Sequence, residues 1–114
     1  MAGKVRSRVH CPYLGGSVVL DDNGWNHILH RHPMFGRPEM EEAIYEAIRS
    51  PRFITDDAFP GQKVAYYGAI PPPFRPTSFV KVPVILTKKG GIVMTAHPAT
   101  SVPPKEVVVW GVRP

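Results

Sequence analysis

The chain has 114 residues, 43% of them hydrophobic and eleven of them aromatic, with a formal net charge of +5. That length suits one domain with its own core, and the apolar content argues against a disordered chain. No apolar run of about 18 residues is present to cross a membrane, the basic start lacks the apolar stretch of a secretory signal, and the lone Cys11 excludes an internal disulfide.

These features fit a reducing cytoplasm. Residues 1–16 read as a basic N-terminal arm carrying Arg6 and Arg8, ahead of a single domain over 17–114. Residues 17–20 (Ser-Val-Val-Leu) have the branched apolar character of a short strand. Asp21-Asp22-Asn23-Gly24 is a turn that also supplies an N-cap, so a helix is expected over 24–31. His32 precedes Pro33, which biases it away from helical geometry and ends that helix. Pro38 suits the first turn of a second helix, with Met40, Ala43, Ile44, Ala47 and Ile48 on one apolar stripe, stopping before Pro51.

The period then changes to two. Strands are expected over 52–55, 63–67, 78–86, 92–96 and 106–112, with Lys88-Lys89-Gly90-Gly91 as a hairpin turn. Pro83 within the longest of these predicts an edge position or a bulge. Pro71-Pro72-Pro73-Phe74-Arg75-Pro76 favours extended polyproline II and reads as a surface connector, one that would carry Phe74 and Arg75 toward a ligand if it has a further role. Helices followed by hairpin-linked strands indicate an α+β domain with an antiparallel sheet.

Charge is unevenly spread. Glu39, Glu41, Glu42 and Glu46 share the second helix, and outside residues 38–50 there remain 13 Lys/Arg against five Asp/Glu. A basic surface with an acidic helix on one flank suits a polyanion such as RNA, with Arg6, Arg8, Lys63, Arg75 and Lys81 as the contacting cations. The acidic helix reads as an ordinary solvated face.

Residues 27–32, His-Ile-Leu-His-Arg-His, hold three of the five histidines. At about 100° per residue, Trp25, Ile28 and Leu29 form the packed face. His27 and Arg31 lie together on the opposite face at i, i+4, an arrangement suited to proton transfer and phosphate holding. His30 is also on the far side, and His32 points back toward the apolar face or leaves the helix at Pro33. A metal alternative would use His27 and His30 with His97 or Cys11, but no carboxylate lies in the run and the i, i+4 histidine spacing of helical zinc sites is absent. Alternation along 92–97 places Thr95 and His97 on one strand face, and Tyr66 or Tyr67 would either add a phenol to that cleft or pack in the core.

Trp25-x-His27-Ile28-x-x-Arg31-His32-Pro33, a following helix ending at a proline, a tyrosine-bearing strand and Gly91-Ile92-Val93-Met94-Thr95-Ala96 resemble the barnase–EndoU–colicin–RelE-like nucleases over about residues 18–97. The phage- and toxin-associated branch is the nearest in pattern. The resemblance implies a microbial-ribonuclease-like α+β fold, two N-terminal helices on a four- to five-stranded antiparallel sheet. It further implies metal- and cofactor-independent RNA cleavage, commonly by a toxin with an antitoxin or immunity partner. It carries function onto His27, Arg31, His32 and Thr95, and departs at His97, where a tyrosine is expected. The expected roles are His27 as base or acid, Arg31 and Thr95 on the phosphate, and His97 or Tyr66 as the second proton-transfer group. The alternative is a non-catalytic RNA- or protein-binding module.

Overall fold

Two-residue alternation organises eight segments of the described chain into one large sheet. The computed structural model describes residues 4–56, 62–75 and 78–111. Among them, β1 (Val5–Cys11) and β2 (Gly16–Asp21) form an N-terminal hairpin, followed by α1 (Asp22–Arg31), a 3-10 turn at Pro33–Gly36 and α2 (Pro38–Arg49). Then come β3 (Phe53–Asp56), β4 (Lys63–Ala69), β5 (Phe79–Thr87), β6 (Gly90–Val93), β7 (His97–Ala99) and β8 (Val107–Gly111). The expected loop and last strand include Pro76 and Val112, which lie outside the described residues.

The eight described strands form one mixed sheet in the order β1-β2-β6-β5-β4-β3-β8, with β7 paired to β5. The α+β class holds, but the expectation of two helices on a four- to five-stranded antiparallel sheet does not. Besides the short, unexpected β7, two features account for the difference. The segment read as a basic arm contains β1, antiparallel to β2, with Val9 and Cys11 buried while Arg6, Arg8 and His10 face out. In addition, β2 pairs with β6 in parallel. That pairing starts at Ser17 opposite Gly90, whose φ of 144° and missing side chain are both required: a Cβ there would lie 1.9 Å from the Ser17 carbonyl oxygen.

Pro83 sits in a central strand, with its cost hidden at a break. β5 is flanked on one side by β4 throughout, and on the other by β6 from Val84 onward and by β7 over Phe79–Lys81. The Pro83 carbonyl accepts from the Met94 N–H at the junction, so the nitrogen that lacks a hydrogen faces the irregular link between β6 and β7.

Both helices pack on one face of the sheet. α1 starts where the Asp21 Oδ1 accepts the Gly24 N–H at 2.8 Å, buries Trp25 and Ile28, and ends with His32 as C-cap. Asp21→Ala is expected to lower stability by about 1 kcal/mol, measured by chemical denaturation. α2 buries Met40, Ala43, Ile44, Ala47 and Ile48, the stripe its sequence predicts. It seats on β4 at Gly68, where an added Cβ would lie 2.7 Å from both Cα and Cβ of Ala47. Gly68→Ala should therefore cost about 1–3 kcal/mol by overpacking, read as a lowered denaturation midpoint at unchanged slope.

The main core fills the space between helices and sheet. A smaller apolar cluster of Phe53, Ala65, Tyr67 and Phe79 lies on alternate positions of the same strands, and so on the other face. The proline run is not extended: the Pro72–Pro73 peptide is cis, Phe74 N–H donates to the Pro71 carbonyl, and Phe74 packs on the main core instead of reaching for a ligand. No helix among the described residues is long and apolar enough to cross a membrane.

Candidate active site

Helix α1 presents its polar residues as the wheel predicts. His27, His30 and Arg31 are exposed, and His32 is half-buried at the C-cap, where the chain leaves helical geometry before Pro33. The ring of His32 meets Phe35 edge-on at 6.4 Å and lies 6.0 Å from the ring of His97, tilted by 33°. Burial lowers the His32 pKa from its ordinary value, and the nearby His97, Arg31 and His27 lower it further. The His32 imidazole is therefore held in its neutral form at neutral pH.

His97 opens β7, opposite Lys81 in β5. Its Nδ1 is 3.1 Å from the Pro98 carbonyl, which can only accept, so Nδ1 carries a hydrogen and Nε2 is left for other partners. The site thus has two halves, the C-terminus of α1 and the start of a strand 65 residues later in the chain. Only tertiary folding joins them.

Beside His97 lies a polar cluster that the sequence reading did not single out. The Glu106 carboxylate, 3% exposed, accepts from Thr55 Oγ1 at 2.5 Å and Tyr67 OH at 2.6 Å on one oxygen, and from Lys81 Nζ at 2.5 Å on the other. Burial alone pushes this carboxyl up, but the Lys81, Thr55 and Tyr67 donors and the lysine charge outweigh it and hold the pKa below its ordinary value. Lys81 also lies 5.4 Å from the centre of the Tyr67 ring.

No family model, curated protein or solved structure matches the chain.

Two expected site residues, Tyr66 and Thr95, need correction or a new place. Tyr66 is fully buried in the main core, its hydroxyl 2.9 Å from Cys11 Sγ, and burial first, then Cys11, pushes its pKa far up. It is a core residue and not a proton-transfer group. Thr95 is half-buried in the link between β6 and β7, since the expected strand over 92–96 breaks after Val93. Thr95 and His97 thus do not share a regular strand face. The phenol near His97's partner Lys81 is Tyr67, the other tyrosine of the pair; both are fully buried, one on each face of the sheet, so alternation alone could not tell which of them neighbours Lys81.

The cations divide as well. Lys81 is paired with buried Glu106, and Arg6 forms a two-pronged contact with Glu41 while stacking 4.3 Å over Trp25. Neither is an open RNA contact. Arg8 and Arg75 are exposed, and Lys63 is half-buried in β4. The acidic helix is not set apart on one flank: Arg6, Arg37 and Arg49 pair with Glu41, Glu39 and Glu42/Glu46. The metal alternative is not assembled among the described residues, where no group of three or more His, Cys, Asp or Glu is placed to hold an ion. Cys11, one proposed ligand, is buried against Tyr66.

Proposed function

We propose that this protein is an endoribonuclease that works by 2′-hydroxyl attack, with His32 and His97 as the proton-transfer pair. The observation that carries the reading is the pair itself: two half-buried imidazoles 6.0 Å apart, one held neutral, beside an exposed Arg31. Neutral His32 takes the proton from the ribose 2′-hydroxyl. The freed oxygen attacks the adjacent phosphorus, and the bond to the 5′-oxygen breaks as His97 gives it a proton from Nε2. The products are a 2′,3′-cyclic phosphate and a 5′-hydroxyl. Arg31 stabilises the charge that builds on the non-bridging oxygens, with His27 on the same helix face as a further contact to the RNA backbone.

This moves the base from His27 to His32 for a physical reason: His27 is exposed on α1, whereas His32 is desolvated and has a second imidazole beside it. The resemblance in residues 25–33 and 91–96 supports the reaction class, and the toxin setting with an antitoxin or immunity partner rests on that resemblance alone. Purified protein incubated with total RNA in EDTA tests the proposal. Cleavage leaving 2′,3′-cyclic phosphate ends is expected. Intact RNA with salt-sensitive binding would make the chain a binding module instead, and cleavage stopped by chelation alone would overturn the metal-independent mechanism.

The pH profile gives a second check. A base must be deprotonated to act, so the rate falls as pH drops through the His32 pKa. Because that pKa is lowered, the acidic limb of kcat/KM should lie below the ordinary imidazole range, at less than about 6.5. An acidic limb above that range would sink the assignment of His32 as base.

A further inference from the structure

The helix-free face of the sheet carries a feature separate from the histidine site. Cross-strand register places Arg8 of β1 opposite Val19 of β2, Val19 opposite Ile92 of β6, and Ile92 opposite Ile85 of β5. Partners in register share a face, so these four side chains form one row across four strands, about 14 Å long at the usual strand spacing. The neighbouring positions Val18, Leu20, Val84 and Val93 are the buried ones, so this row points away from α1 and α2. Ile85 is 41% exposed and Val5 51% exposed. A groove of about 360 Å³ is lined by Arg8, Val19 and Ile92 of the row together with Lys88 and Lys89, and Ile85 continues the row just beyond it. Among the described residues the one carboxylate lining it, Asp21, is turned to cap α1 through the Gly24 N–H.

We infer that this face is a docking surface for an acidic protein segment that carries aliphatic side chains. Charge complementarity selects the acidic partner: among the described residues, three cations line the groove and its one acid is engaged in the cap. The floor selects protein over nucleic acid. RNA bases are held by stacking on aromatic rings or arginine planes, and apart from Arg8 at its end the row offers only valine and isoleucine. Branched aliphatic side chains pack instead against others of their kind, with carboxylates on the partner meeting Arg8, Lys88 and Lys89 at the rim. The surface is also on the opposite side of the sheet from α1, which carries His27, Arg31 and His32. His97, in register with Lys81, belongs to the same face as Ile85, but neither it nor His27, Arg31 or His32 lines the groove, so the inference stands independently of the proposed reaction.

Nitrogen-15-labelled protein titrated with three probes tests it: a peptide of alternating glutamate and leucine, the same peptide with lysine replacing glutamate, and a 2′-O-methyl oligouridylate that cannot be cleaved by 2′-hydroxyl attack. The acidic peptide should give saturable amide shifts at Val19, Ile85, Lys88, Lys89 and Ile92. Ile85→Glu, and separately Lys88→Glu with Lys89→Glu, should each weaken it at least tenfold. These positions are exposed, so the variants keep the fold, which their unperturbed spectra away from the groove would verify. Absence of saturable shifts at these amides overturns the inference, as does equal binding of the lysine peptide. Binding indifferent to Ile85→Glu would reduce the surface to charge attraction, and shifts of the same amides by the oligonucleotide would make it an RNA surface; either result overturns it too.

Discussion

Replacing His32 or His97 with alanine is expected to reduce RNA cleavage by about 10²–10⁴-fold each, the usual worth of one general acid or base. The two imidazoles act on the same proton-transfer sequence, so the double variant should lose little more than the worse single one. The exposed His30 is the internal control, and His30→Ala should leave the rate within a few-fold of wild type. Stopped-reaction assays on a defined oligonucleotide measure this, with unfolding midpoints recorded alongside to exclude misfolding. The assignment fails if His27→Ala abolishes activity while His97→Ala does not, because the pair would then be formed on the open face of α1 alone.

Glu106→Gln should cost about 3–5 kcal/mol, the expected penalty for stripping a buried ion pair of one partner. The amide keeps the shape of the side chain and can still accept from Thr55 or Tyr67, but it leaves the Lys81 ammonium, whose side chain is 13% exposed, without its counter-charge. Thermal unfolding should fall by about 10 °C or more. Adding Lys81→Met to Glu106→Gln should recover much of the loss, since removing both charges also removes the desolvation penalty. The pH dependence has a definite sign. A carboxyl whose folded pKa is depressed stabilises the fold above its unfolded pKa, and that stability is lost as pH falls through the folded value. Wild type should therefore lose stability below the ordinary carboxylate range with a steeper slope than Glu106→Gln. A loss under about 1 kcal/mol for the single variant would show the cluster to be far more hydrated than its burial implies.

Local chemistry made the helical part of the chain legible. The Asp21 cap, the Pro33 stop, Pro38 in the first turn and the five-residue apolar stripe of α2 act within a few residues of one another, so each is readable without knowing the fold. The same holds for the sorting of His27, Arg31 and His32 on α1, which depends only on helical period. Six of the eight described strands were readable as strands, but not their partners. β1 looked like a basic arm because its outward positions are arginines and a histidine, and the three-residue β7, with a proline at its centre, carries too little pattern to be seen.

The site shows the same division. The histidine run and its order of exposure are properties of one helix, and those the sequence determined by itself. Which histidine becomes desolvated, and which distant residue stands beside it, depended on β7 pairing with Lys81 and on α1 ending against it. Likewise, Glu106 joins Thr55, Tyr67 and Lys81 only because β8 adds to β3 at the far side of the sheet, bringing residues 51, 39 and 25 positions away onto one carboxylate. Capping and helical period are short-range, whereas register and parallel return across a mixed sheet are decided by which buried faces can be covered at once, and only the tertiary structure decides that.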